Sequence, residues 1–364
     1  MKIFELHYST SWAGAERVVV DLSNELAKNN EVVLCTIEDD SLPGKSYYKK
    51  ELSPNIKYIN LKCQSGLQLK ALWRIYKTIK KEKPDIVHAH TDLINLFLPA
   101  LLYTKARYFH TLHSLAEKCL KKPYLKCMYK WFYKNRIQAI TISNACLASY
   151  KQLYHLNNGI KIENGRSSLS PSTKYEQTTE EIQKLKIHPD DKVFVHIARC
   201  EEAKNQELLV NAFSRILQDN IHAILLMIGA NYDAPHNQHL FTHMPKGMYC
   251  LGLKNNIGDY LLNANFFILS SKWEGLPISL LEALSCGVIP ICTPAGGIPD
   301  VIIDEQKGFL SPDFTEDNFY KAIKKAIQKE SSFERKNLIT YFQENYSMQH
   351  CANLYLKTFK NDTV

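Results

Sequence analysis

No run in the 364-residue chain approaches the ~18–20 consecutive apolar residues of a membrane-crossing helix. No Gly-x-Gly-x-x-Gly follows the first strand-like run, which argues against a nicotinamide dehydrogenase. The 10 cysteines include no Cys-x-x-Cys pair. In a chain this long that points to reduced thiols in a cytosol, mostly small buried hydrophobes, and not to a disulfide framework. The opening MKIFELHYSTSWAG turns polar after Leu6 and lacks the apolar centre of a signal peptide. There is no tandem repeat, and no nucleic-acid-binding motif accompanies the basic residues.

What is present is globular in composition, with 45% hydrophobic and 23% charged residues. The length exceeds one ordinary core, so two domains are predicted. The net charge of +8 is uneven. Residues 1–165 carry 25 Lys and Arg against 14 Asp and Glu, a balance of +11, while 166–364 carry 20 against 23, a balance of −3. The basic half holds EKCLKKPYLKCMYKWFYKNR, where Lys118, Lys121, Lys122, Lys126, Lys130 and Lys134 alternate with Tyr124, Tyr129, Trp131, Phe132 and Tyr133. Such a segment suits an anionic bilayer surface, with Lys121, Lys122, Lys126 and Trp131 as its membrane-facing candidates. It equally suits an amphipathic core helix with a solvated basic face.

Short β-type runs alternate with helical stretches. KIFELHY, EVVLCTI, DIVHAH, RYFHTLH and QAITIS read as strands. AERVVVDLSNELAKNN and GLQLKALWRIYKTIKKEKPD read as helices, the second stopped by Pro84. The polar stretch between about 164 and 192 reads as a linker. A second series follows: KVFVHIA, HAILLMIG, MYCLG, FFILSS and VIPICT as strands, separated by helices, with a mainly helical end from about 315 to 360. This is the rhythm of two α/β, doubly wound, Rossmann-like halves. Ligands of such sheets bind outside the carboxyl ends of the strands, so two of them predict a ligand between domains.

WEGLPISLLEALSCG, residues 273–287, holds two glutamates eight apart, the second inside an otherwise apolar helix. Pro277 suits the first helical position and Gly287 a left-handed cap. Free N–H groups over 275–279, with the helix dipole, make an anion site. Helical side chains lean toward the N-terminus, so Glu282 would reach a sugar attached to that anion, with Glu274 beside it. The alternative is a surface Glu274 and a Glu282 salt-bridged to the other domain.

The same stretch, extended through CGVIPICTPAGGIPDVI, resembles the signature of retaining glycosyltransferase family 4, the group 1 enzymes of GT-B fold that build bacterial polysaccharides. The resemblance also carries AGAERVV, HTLHS, ITISNA, ENG, IARCEEAKNQELLVNAF and GFL, and so covers nearly the whole chain. It implies an acceptor-binding domain over 1–170 and a nucleotide-sugar-binding domain over 171–340, facing across a cleft. A C-terminal helix over 341–364 would cross back toward the first domain.

Residue by residue, Arg199 and Lys204 match the family's basic pair that clamps the donor diphosphate. Read alone, an Arg-x4-Lys spacing is ordinary surface charge. Cations there would stabilise the charge that develops on the leaving group. By the same resemblance Glu274 holds hydroxyls of the transferred sugar and Glu282 the ribose. Gly275, Leu276, Pro277 and Ile278 line the donor site, and Pro277 brings no N–H. His113 of HTLHS matches the histidine near the donor sugar. The alternative is a strand-end histidine satisfied by backbone, and His110 belongs within the strand. Gly14 and Ala15 match the glycine loop for acceptor or phosphate, although Ala13-Gly14 stands where Gly-Gly is frequent. Asp300 stands where Glu is common.

His236, His239 and His243, with Asp233, offer metal-type ligands on a long loop, a poor cage. There is no Asp-x-Asp of the kind metal-dependent GT-A enzymes use. The resemblance therefore implies a retaining, metal-independent hexosyltransferase with no cofactor. It would move a hexose or N-acetylhexosamine from a nucleotide diphosphate sugar, UDP-linked on the cue of EGLP, to a hydroxyl of a lipid-linked or surface glycan of capsule or O-antigen type. Nucleic acid is not an expected partner. The expected location is cytoplasmic, peripheral at the inner face of the cytoplasmic membrane. Rival readings are a nucleotide-sugar epimerase or phosphorylase on the same fold, or an inactive membrane-associated scaffold that binds a nucleotide sugar. A scaffold has no physical need to keep Arg199, Lys204, Glu274, Glu282 and His113 together.

Overall fold

A computed structural model of the chain describes residues 1–63, 68–120, 122–242 and 244–360. Lys121 and His243 lie outside the described residues. The chain forms two compact units, Met1–Ser167 with Tyr346–Val364, and Ser168–Asn345.

The first unit is built on seven parallel strands: β1 (Lys2–His7), β2 (Glu31–Glu38), β3 (Lys57–Cys63), β4 (Ile86–His90), β5 (Arg107–Leu112), β6 (Ile137–Thr141) and β7 (Ile160–Lys161). Their order is β3-β2-β1-β4-β5-β6-β7. Strands covered on both faces read as near-continuous apolar runs, and Ile3, Phe4 and Leu6 of β1 are fully buried. Helix Gly14–Leu26 turns Val18, Val19, Leu22 and Leu26 inward at the 3–4-residue spacing of one face. Helix Met348–Lys360 belongs to this unit and buries Met348, Cys351, Ala352, Tyr355 and Phe359. It is fastened by Arg107 Nη1 donating to the Phe359 carbonyl at 2.6 Å, and by a backbone bond from Arg166 to Tyr346 at 2.9 Å.

The second unit repeats the plan with six parallel strands: β8 (Lys192–Ile197), β9 (Ala223–Ile228), β10 (Met248–Gly252), β11 (Phe266–Leu269), β12 (Ile289–Cys292) and β13 (Phe309–Leu310). Their order is β10-β9-β8-β11-β12-β13. In each sheet the order reverses once, between β1 and β4 and between β8 and β11. The carboxyl ends of those four strands are where a doubly wound sheet opens a crevice.

Three expectations need correction. The polar stretch read as a linker contains a helix, Tyr175–Leu185, held by only two buried residues, Thr178 and Ile182. Strands β3, β7 and β13 were not anticipated: β3 is half-solvated and the other two are two residues long. Pro277 is not the first helical residue but the N-cap of helix Ile278–Ser285, with extended backbone at φ −71°, ψ 126°. Gly287 follows that helix at φ +69°, as the sequence indicates.

Candidate functional site

In the second unit the loops after β8 and β11 are stitched together. Ser270 Oγ donates to the carbonyls of Lys204 (2.8 Å) and Asn205 (3.0 Å), and Lys272 N–H donates to Ala203 (2.8 Å). The stitching sets Lys204 against Glu274, Nζ to Oε1 at 2.6 Å. Ser271 Oγ donates to the same oxygen at 2.6 Å, and Thr293 Oγ1 donates to the Ser271 carbonyl at 2.6 Å. The Lys204 and Glu274 side chains are 19% and 9% exposed. They form a shielded but reachable ion pair at the switch point.

Arg199 sits differently. Its guanidinium is about half exposed, 47%, and touches Glu201 at 3.3 Å. Its backbone is fixed from below by buried Gln206, whose amide donates to the Arg199 carbonyl at 2.9 Å. The Gln206 amide also lies 3.3 Å from His196 Nε2, while His196 Nδ1 donates to the Ile268 carbonyl at 2.8 Å. Burial pushes His196 down to about 4, so its Nε2 is a neutral acceptor for the amide. Gln206 and His196 were not picked out in the sequence. A buried amide opening a helix and a histidine inside an apolar strand were the available signals.

The turn bearing Glu274 rests on a second turn after β12. Gly297 N–H donates to the Gly275 carbonyl at 2.8 Å. Gly275, Leu276 and Pro277 are buried and Ile278 is half-buried. Glu282 lies in the helix they open and is 5% exposed.

In the first unit, Gly14 is exposed and begins helix Gly14–Leu26, with Ala15 next to it half-buried. His113 follows β5, and its Nε2 is 2.9 Å from His90 Nδ1. His90 Nε2 reaches Glu5 Oε2 at 2.7 Å. His88 Nδ1 reaches Glu5 Oε1 at 3.2 Å, and His88 Nε2 reaches Thr111 Oγ1 at 2.8 Å. Glu5 faces His88 across the β1–β4 register. His90 is two residues on and therefore on the same side of the sheet. His113 is thus not a strand-end histidine satisfied by backbone. Its Nδ1 is buried without a hydrogen-bond partner, as is Nε2 of His7 at the end of β1.

Glu5, His88 and His90 are fully buried. Burial alone would raise the Glu5 carboxyl, but the two histidines outweigh it and hold it at about 2. Burial pushes His90 down to about 3 and His113 well below its usual value. Among the described residues these three are the one group of metal-type donors, with ligand atoms within 4.8 Å of one another. The 2.7 Å separation of His90 Nε2 and Glu5 Oε2 is a proton-bridged distance. Two ligands ~2.1 Å from one tetrahedral ion would stand roughly 3.4 Å apart. On the histidine loop that the sequence marks as a poor cage, His236, His239 and Asp233 are exposed and form no such group.

The basic-aromatic segment folds as helix Lys126–Asn135, with Tyr129, Phe132 and Tyr133 buried. Tyr124 and Trp131 remain 76% and 53% exposed, and Lys122 and Lys126 are half-buried. A second aromatic cluster on this unit escaped the sequence reading. Exposed Trp73 and Tyr103 flank Tyr76, with ring centroids 5.8 and 6.1 Å apart. No helix among the described residues is long and apolar enough to cross a membrane.

Comparison with known proteins follows the same division. Residues 12–164 match the model of Glycosyltransferase Family 4, and residues 177–345 match that of Glycosyl transferases group 1. The UDP-Gal:alpha-D-GlcNAc-diphosphoundecaprenol alpha-1,3-galactosyltransferase of Escherichia coli is 27% identical over 307 residues, covering 78% of this chain and 75% of that protein. The N-acetyl-alpha-D-glucosaminyl L-malate synthase of Bacillus anthracis is 31% identical over 129 residues, 34% of this chain and 33% of that protein. Among solved structures, Anabaena HepE in complex with UDP and glucose superposes with a TM-score of 0.81 at 15% identity, covering 98% of this chain and 99% of that one. With its first half matched by the Glycosyltransferase Family 4 model, its second half by the Glycosyl transferases group 1 model, and the GT-B fold shared along its length, the chain is a glycosyltransferase of GT-B type.

Proposed function

We propose that the chain moves a hexose or N-acetylhexosamine from a UDP-sugar to a hydroxyl of a lipid-linked or surface glycan, with retention of configuration and without a divalent metal. The observation that carries this reading is the Lys204–Glu274 pair at the β8/β11 switch point, 2.6 Å apart. A diphosphate entering there competes with Glu274 for the ammonium. The carboxylate is then released to accept hydrogen bonds from sugar hydroxyls. As the sugar–phosphate bond breaks, Lys204 and Arg199 stabilise the negative charge on the departing diphosphate. The acceptor oxygen bonds to the same face of the anomeric carbon, and its proton passes to a phosphate oxygen of the leaving group. This route needs no protein nucleophile, and Glu274 orients the sugar. The UDP preference is supported by the Escherichia coli relative, whose name specifies UDP-Gal, and by the UDP bound in Anabaena HepE.

The test is thermal unfolding with UDP or GDP, EDTA present throughout. A ligand at 100 times its Kd stabilises by about 2.7 kcal/mol. UDP is expected to raise the melting temperature and GDP to leave it unchanged. A shift with GDP alone would replace the donor class, and no shift with either would remove the donor site.

The membrane part of the proposal is a peripheral position at the inner face of the cytoplasmic membrane. It is supported by the basic balance of residues 1–165 and by exposed Trp131 and Tyr124. Each basic residue near an anionic surface contributes about 1 kcal/mol. The double substitution Lys122→Glu/Lys126→Glu is therefore expected to weaken binding to phosphatidylglycerol vesicles roughly thirtyfold or more. Unchanged vesicle binding would confine these lysines to a solvated helix face.

A further inference from the structure

With His90 kept neutral by its burial, the chain Glu5–His90–His113 admits one consistent set of protons. A carboxylate only accepts hydrogen bonds, so the 2.7 Å contact requires the proton on His90 Nε2. A neutral imidazole has one donor and one acceptor, so His90 Nδ1 accepts. The atom 2.9 Å from it, His113 Nε2, must then carry the hydrogen. That leaves His113 Nδ1 with a lone pair, and this nitrogen is buried and unpartnered. His88 Nδ1 spans both carboxylate oxygens, 3.0 Å from Oε2 and 3.2 Å from Oε1, and His88 is itself held by Thr111, whose hydroxyl lies 3.0 Å from Tyr355 OH on the C-terminal helix. The array runs from Glu5 and His88, inside β1 and β4, to His90 and His113 at the carboxyl ends of β4 and β5, beside the reversal of strand order.

We propose that Glu5 is a positioning residue which, acting through His90, fixes His113 in its Nε2–H tautomer, so that Nδ1 serves only as a hydrogen-bond acceptor for a hydroxyl of the bound sugar. The tautomer follows from the contacts together with the neutrality that burial imposes on His90; the sugar as its ligand rests on the transferase reading. Replacing Glu5 by Gln supplies an amide donor to His90 Nε2 and lets the chain reverse. His90 would then donate from Nδ1, and His113 would present an N–H where the wild type presents a lone pair.

The experiment is long-range ¹H–¹⁵N correlation on full-length protein labelled at histidine nitrogens, with His113 assigned by His113→Asn. The wild type is expected to show His113 as Nε2–H. Glu5→Gln is expected to shift it to Nδ1–H or a mixture, with kcat/KM for sugar transfer falling about tenfold. His90→Phe cuts the relay one step nearer and should release the tautomer as well, which keeps the test decisive if Glu5→Gln does not fold. Nδ1–H in the wild type overturns the proposal, as does an unchanged tautomer in a folded relay variant. Zinc retained stoichiometrically after dialysis and lost in Glu5→Gln also overturns it, since those donors would then be metal ligands. The tautomer needs no turnover to be read. If it holds while no nucleotide sugar is ever consumed, the transferase reading falls and the relay stands.

Discussion

Lys204→Ala is expected to lower kcat for sugar transfer by about two to three orders of magnitude, the usual effect of removing one preorganised charge from a transition state. The reason lies in where the charge sits. The Lys204 carbonyl is pinned by Ser270 and its ammonium is pinned by Glu274, so the cation is held in place before any ligand arrives. It therefore reorganises little as charge builds on a departing diphosphate. Arg199, half exposed and ion-paired with Glu201, is expected to matter less, by about tenfold. Lys204→Arg keeps the charge but replaces a point donor with a planar fork, and should recover only part of the rate. The double variant Lys204→Ala/Glu274→Gln should lose much less than the product of the single losses, because the two side chains are in direct contact. Initial rates with radiolabelled donor, alongside melting temperatures, check this. A rate loss under tenfold, with a clear fall in stability, would make the pair a structural ion pair and nothing more.

The sequence made some of this geometry visible and hid the rest for definable reasons. The buried strands were legible because both faces of a parallel sheet are covered, so AILLMI of β9 and FFIL of β11 are unbroken apolar runs. The Glu274 turn and its helix were legible because FFILSS, Gly275, Pro277 and Gly287 punctuate a strand, a turn, a helix and a stop within 22 residues. The contact of Lys204 with Glu274 was not legible. The two are 70 residues apart, and only the adjacency of β8 and β11 brings them together. Sequence reasoning gave each a separate ligand group. The structure gives them first to each other.

Glu5 was missed for a related reason. A charged residue in a strand is a signal in itself, and so is the His-x-His of β4. Their meaning depends on β1 pairing with β4 in a register that sets Glu5 opposite His88, and no local pattern states that pairing. The basic-aromatic segment carried two readings that spacing could not separate. The helix buries Tyr129, Phe132 and Tyr133 yet leaves Trp131 outside, so one segment supplies both a core face and an exposed basic-aromatic face.

Gly296→Ala should be severely damaging to the second unit, and Gly252→Ala is its internal control. Both glycines have left-handed backbone, at φ +57° and +66°. Either alanine therefore carries the ordinary strain of that conformation, about 1–2 kcal/mol. The surroundings differ. A Cβ on Gly252 meets nothing within 4 Å, whereas one on Gly296 would lie 1.9 Å from the Glu274 carbonyl oxygen and 2.6 Å from its carbon. Those are backbone atoms and cannot rotate aside. The turn cannot simply swing away either, since Gly297 is bonded to the Gly275 carbonyl at 2.8 Å. Relief must come from moving Glu274, and with it the carboxylate that Lys204 and Ser271 hold. A displacement of ~1 Å in a site of this kind costs about a hundredfold in rate, and the stability loss should exceed about 4 kcal/mol, the range reserved for severe steric conflict. Gly252→Ala should lower the melting temperature by roughly 2–4 °C for each kcal/mol of strain and leave kcat unchanged. Calorimetry and initial rates on the two variants decide the matter. If Gly296→Ala melts and turns over like Gly252→Ala, the close packing of the two turns does not position Glu274, and the carboxylate's placement rests on Lys204 and Ser271 alone.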